Sequence, residues 1–218
     1  MTIMEQGIAP PRGSLPTFLK RGAVIFLALL TLATLYVHEA YVFKPADPEW
    51  SHLAPFRWWL VPHIACGAIA LLIAPLQFSA TIRRRSLKLH RWLGRIYVCA
   101  VLVASSLSLY IVLVFEDPAN RWVMGTMGGL WLVTTVFAWL AARNRNLLQH
   151  RLWIGRSYCL TFTFVTTRFI PDMILPGMGY VGTTALYWVI IVLSLMIPDL
   201  LVNGGALLPW RRANRQAP

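Results

Sequence analysis

Charge is scarce in this sequence, and negative charge scarcer still. Only 13% of the 218 residues are charged, against 57% hydrophobic, and eight Asp and Glu stand against twenty Lys and Arg. That balance excludes an ordinary soluble domain, because several apolar runs exceed the roughly 18 residues that mark a bilayer span. Cysteine is nearly absent. Cys66, Cys99 and Cys159 all fall inside apolar runs, with no Cys-x-x-Cys spacing and no partner in a polar loop, so they read as small core residues. No Ser-His-Asp order, no Cys/His zinc spacing and no phosphate-binding glycine loop is present, and the polar constellation is too thin for a hydrolase, a chelatase or an ion pump. The net charge of +12 does not point to nucleic acid either. The basic residues sit in short clusters between apolar runs, where they act as topology signals.

What the chain does have is a short motif in two copies. His90-Arg91-Trp92-Leu93-Gly94-Arg95-Ile96-Tyr97 opens one apolar run, and His150-Arg151-Leu152-Trp153-Ile154-Gly155-Arg156-Ser157-Tyr158 opens another. Gly94 and Gly155 are 61 residues apart, about what two membrane-crossing helices and their connections need. The copies are therefore expected to start equivalent helices in two hairpins of equal orientation.

The expected fold is all-α, a polytopic bundle of six transmembrane helices with an internal repeat of hairpins (spans two and three, spans four and five). Residues 1–21, with Pro10, Pro11, Gly13 and Pro16, form a flexible tail, 22–203 the membrane domain, and 204–218 a basic tail. The spans are expected at about Gly22 to Phe43, Phe56 to Thr81, His90 to Phe115, Trp122 to Ala142, His150 to Phe169 and Gly182 to Val202. The first is too long for a signal-peptide core and is expected to stay as a span. Lys44, Arg57, Arg121 and Arg168 are the only basic residues assigned to the outer side, together with most of the acids. The positive-inside rule then places both termini and both motifs in the cytoplasm, for a protein of the bacterial inner membrane.

Arg95 and Arg156 lie about a turn inside the membrane, from where their stems can snorkel to lipid phosphates. On that reading Trp92, Trp153, Tyr97 and Tyr158 are interfacial anchors, and Gly94 and Gly155 permit close helix contact. On the sharper reading His90 and His150 come together and hold a cofactor near the cytoplasmic face. His63 lies about two turns into the second span, where an ionisable group is a functional hypothesis by default. Gly67, Ala70 and Ala74 follow it at helical spacing, a stripe that accepts either a neighbouring helix or a flat ring. His38 reaches a similar depth on the first span, so His63 and His38 suit the axial positions of a b-type haem, or with Glu39 and His52 a transition metal. The repeat offset also places Met124 opposite His63. His63 and His90 cannot share a site, since roughly 27 Å of helix separates His63 from Thr81 alone. Arg168 pairs with Asp172 at i to i+4, or faces a cavity and binds an anionic group. Thr161, Thr163, Thr166 and Thr167 suit interior packing or a pathway.

These motifs carry a resemblance. His63 early in a span, Pro75-Leu76-Gln77-Phe78 at its end, the Arg83 cluster, the two copies above, Trp131 with Thr134, Leu160-Thr161-Phe162 leading to Arg168, and Ile197-Pro198-Asp199-Leu200 resemble a family of bacterial predicted membrane proteins known as a domain of unknown function. The resemblance covers about residues 55–203 and leaves out the first span and both tails. It implies membership and topology and brings no activity. The functional expectation is a membrane redox protein holding haem b. The alternatives are a non-catalytic subunit of a larger membrane complex or of a homo-oligomer, and a carrier of a small anionic or quinone-like molecule.

Overall fold

A computed structural model describes residues 17–44, 48, 50, 53–171, 177 and 179–207. Those residues form seven α-helices and no strand: α1 (Thr17–Glu39), α2 (Arg57–Phe78), α3 (Ala80–Arg85), α4 (Leu87–Phe115), α5 (Pro118–Arg143), α6 (Leu147–Phe169) and α7 (Tyr180–Leu207). Short 3-10 turns extend α1 over Ala40–Phe43 and introduce α2 over Ala54–Phe56. Residues 1–16 of the expected N-terminal tail and 208–218 of the C-terminal tail lie outside the described residues, whereas 17–21 and 204–207, expected as tail, are helical.

Side chains set where the helices begin. Ser79, Ser86, Asp117 and Asn146 each accept a backbone N–H from the first turn of the helix they precede, at 3.3, 3.1, 2.8 and 3.2 Å. Each cap satisfies a donor that the helix itself cannot, worth about 1 kcal/mol. The Ser79 and Ser86 caps correct one expectation. The span expected to run unbroken to Thr81 ends at Phe78, and the Arg83-Arg84-Arg85 cluster sits on its own short helix. The link between α5 and α6 closes through Arg145, which adopts a left-handed φ of 56°.

Among the described residues, four helices are long and apolar enough to cross a membrane: Ala54–Phe78, Leu87–Phe115, Pro118–Arg143 and Val181–Asn203. Helix α1 contributes a shorter apolar stretch, Ile25–Glu39. Helix α6 carries Arg151, Arg156, Arg168 and four threonines, and its position explains that polarity. It packs between α5 and α7 and also touches α1 and α2, burying Ser157, Leu160, Thr161, Thr163 and Val165. A polar helix is tolerated here because its hydroxyls face protein rather than lipid. The outer faces are the reverse, with Trp58, Trp122, Leu113, Val181 and Leu201 all exposed. A contiguous apolar surface of that kind is covered by lipid.

Helix α2 pairs with α4, α5 pairs with α6, and α4 against α5 joins the two pairs. The core between them is built on Ala70, Ala74, Tyr97, Ala100 and Val101. This divides the small-residue stripe of α2. Ala70 and Ala74 accept helix α4, whereas an added Cβ on Gly67 would find no atom within 4 Å. Gly155 is the tightest crossing. A Cβ there would stand 2.9 Å from Cβ of Pro198 on α7, and neither group can swing aside. Replacing Gly155 with Ala should therefore cost about 1–3 kcal/mol by overpacking, while Gly67→Ala at the open position should cost far less. Thermal unfolding of both variants in detergent checks the difference, and equal melting temperatures would refute it.

Candidate functional site

The chemistry-bearing residues gather at the end of the bundle where α2 begins and α6 ends. A cavity of about 320 Å³ opens there, lined by residues of α1, α2, α4, α5 and α6, among them Glu39, His63, Ser108, Trp131, Thr161 and Arg168. Its size falls at the low end of ordinary small-molecule sites. His63 and Arg168, singled out separately in the sequence, both line this cavity.

His63 is held by one hydrogen bond, from Nδ1 to the carbonyl oxygen of Ala104 on α4, at 2.8 Å. A carbonyl can only accept, so Nδ1 carries the proton and neutral His63 keeps Nε2 as an acceptor. Arg168 reaches Glu39 across 129 residues of chain, Nη2 to Oε1 at 3.3 Å, and its guanidinium lies 3.9 Å from the centre of the Phe164 ring. Glu39 is only 7% exposed, whereas the Arg168 side chain is 36% exposed, so the acid is buried and the base is not. The proposed partner Asp172 lies outside the described residues. The sequence offered Glu39 as a metal ligand beside His38 and His52, and its partnership with Arg168 needed the approach of α1 to α6.

The other candidates are dispersed. His38 and Met124 are half-buried but are not among the residues lining the cavity; Met127, one turn beyond Met124, is. His52 lies outside the described residues. Among the described residues no three His, Cys, Asp or Glu side chains are grouped as a metal would need. His90 and His150 lie at the opposite end. His90 precedes Ala104 by roughly 21 Å of helix, and His150 Nδ1 donates to the Ala138 carbonyl at 2.9 Å.

The motif copies have different fates from those expected. Trp92 is exposed as an anchor would be, but Tyr97 is 1% exposed, at the centre of the protein. Its hydroxyl meets Ser157 Oγ at 2.7 Å and Thr161 Oγ1 at 2.9 Å. Thr161 also receives the indole N–H of Trp131 at 2.8 Å, and Ser157 meets Thr135 at 2.7 Å. Three helices are thereby joined, and Trp131 and Thr161 extend the network to the cavity wall. Tyr158 packs against the rings of Phe78 and Phe162 instead. Arg156 does not snorkel. Its Nε and Nη2 both donate to Asp199 Oδ2, at 3.1 and 2.6 Å, and it stacks 4.4 Å over Trp153.

Residues 60–203 match the family described as "Predicted membrane protein (DUF2306)". The chain belongs to this family. No curated protein and no solved structure matches it. The family segment contains His63, Arg168 and the whole Tyr97 network, and it leaves out α1 with Glu39. Motifs that were separate in sequence meet within it: Gln77 lies against Gly94, Gly155 against Pro198, and Arg156 against Asp199.

Tyr97 gives the sharpest test of this arrangement. Removing its hydroxyl leaves two buried groups each short of one partner, so Tyr97→Phe should destabilise the protein by about 1–3 kcal/mol. Tyr158→Phe should have a smaller effect. Melting temperatures in the same detergent compare the two, and the opposite ranking would show that Tyr97 is not the joint.

Proposed function

We propose that the protein binds a small molecule within the membrane, one with an apolar body and a quinone-like or anionic oxygen group, in the cavity between Arg168 and His63. The observation that carries this reading is that a guanidinium donor and an imidazole acceptor both line a cavity whose other lining side chains are mainly apolar. Arg168 suits a carbonyl or carboxylate oxygen, and Nε2 of neutral His63 suits a hydroxyl, the two groups that a quinol or a hydroxylated acid presents together. Phe164 and Trp131 offer ring faces to a flat body.

This reading is favoured over a b-type haem in the same place. Haem would need His63 and a second axial ligand, and neither His38 nor Met124 lines the cavity. A Soret band that shifts on dithionite reduction of protein made with full haem supply would reverse that preference. The architecture we propose with it has six spans, α1 and α6 included, arranged as two repeated hairpins. Both termini and the basic links are cytoplasmic in a bacterial inner membrane, in accord with the charge asymmetry. Single cysteines at positions 85 and 146, on a cysteine-free background, should then be labelled from the cytoplasm, and those at 47 and 119 from the other side. One position labelled from the wrong face would break the topology.

The binding test uses the naphthoquinone menadione and a medium-chain fatty acid as probes, with calorimetry on the purified protein. Gly67→Leu should abolish binding by filling open space without touching a polar group. His63→Ala and Arg168→Gln should weaken it at least tenfold, the loss of about 1.4 kcal/mol. If neither probe binds wild type, or if Gly67→Leu binds as well as wild type, the cavity is not the site.

A further inference from the structure

At the basic end of the bundle two polar atoms are closed off from solvent and have no hydrogen-bond partner: Nε2 of Gln77 and Nδ1 of His90. Gln77 comes from the last turn of α2. Its Oε1 would lie 3.4 Å from a Cβ on Gly94, which is one turn beyond His90 on the same face of α4. The bare backbone of Gly94 is what admits the amide. The groups acting electrostatically on His90 are Arg83, His150 and Arg91, with no carboxylate among them. Asp199, on α7, is already taken by Arg156.

A buried amide N–H without a partner is expensive, and native proteins leave few of them. That amide nitrogen and an imidazole nitrogen able to carry a proton, against one helix face and in surroundings of one sign of charge, suit an oxygen-rich anion. The flanking α4 side chains Leu89 and Trp92 are 47% and 57% exposed, so apolar surface of the kind that faces lipid borders the same place. We propose that the junction of α2, α3 and the start of α4 binds a phosphate oxyanion, either the headgroup of an anionic phospholipid or free phosphate. Gln77 Nε2 and His90 Nδ1 donate to it, and Arg83 supplies charge. Basic clefts between membrane helices recognise lipid phosphates in this way. The site is independent of the His63 cavity at the other end of the bundle.

The test is native mass spectrometry of the full chain released from nanodiscs of equal phosphatidylglycerol and phosphatidylcholine. Wild type should retain phosphatidylglycerol about fivefold over phosphatidylcholine, the preference that one basic group near an anionic surface supplies. Gln77→Glu, which keeps the shape but turns a carboxylate on the anion, should abolish the preference. Arg83→Gln, on an exposed side chain that the fold does not need, should reduce it several-fold. Inorganic phosphate, followed by broadening of its phosphorus resonance, separates the sources. Broadening by wild type that is lost in Gln77→Glu, with no lipid preference, identifies free phosphate as the ligand. A lipid preference that excess phosphate leaves unchanged identifies the headgroup. Equal retention of the two lipids by wild type together with an unbroadened phosphate line overturns the proposal, and so does a Gln77→Glu variant that behaves as wild type in both measurements.

Discussion

The hydroxyl of Tyr97 is the joint on which the bundle depends. Inside a bilayer the hydrophobic effect no longer draws helices together, because lipid tails are as apolar as leucine. Association then rests on close packing and on polar groups that would otherwise go unsatisfied. Tyr97 supplies both, filling the space beside Ala70 and Ala74 while its oxygen meets Ser157 and Thr161. Single hydrogen bonds between membrane helices average only about 0.6 kcal/mol. Their value here lies in connection, since Trp131 and Thr135 draw α5 into the contact between α4 and α6. One tyrosine thus sets the register of three helices.

The remaining structure follows from that register. With α4, α5 and α6 joined at mid-length, the small residues of α2 seat against α4, and Gly155 lets Pro198 approach until only hydrogen fits between them. The Arg156–Asp199 pair then closes the α6 and α7 contact at one end. At the other end lies the cavity, lined by residues of α1, α2, α4, α5 and α6. Its depth is set by Trp131 and Thr161, which belong to the joint as much as to the cavity wall. A ligand there would rest on the same hydrogen bonds that hold the helices, which couples occupancy to the packing of the core.

The ion pair of Arg168 and Glu39 has a different character. It brings a buried acid from outside the family segment to a base within it whose side chain is still about a third exposed. Breaking such a pair leaves an uncompensated charge, which is costly, whereas making it gains little over an apolar pair of the same shape.

The all-helical class, the membrane setting and the family were legible in the chain, because they depend on quantities that local sequence carries: run length, the position of bases between runs, and the order of short motifs. His63 and Arg168 were legible as separate candidates for the same reason, since helix rise converts sequence position into depth. Which face each residue takes was not. Tyr97 and Tyr158 occupy equivalent places in the two motif copies, and only the neighbours differ. Ala70 and Ala74 across from Tyr97 leave room for a buried ring, while Phe78 and Phe162 hold Tyr158 at the side. The break at Ser79 went unread because a serine between apolar and basic runs is also compatible with continuous helix; the cap bond to Ile82 decides it. Partners such as Glu39 for Arg168 and Asp199 for Arg156 lie 129 and 43 residues away, and no local pattern encodes which of the few acids each base will meet. Depth is a one-dimensional property that the sequence by itself determined. Azimuth and partner choice belong to the packing of one helix on another, and only the tertiary structure decided them.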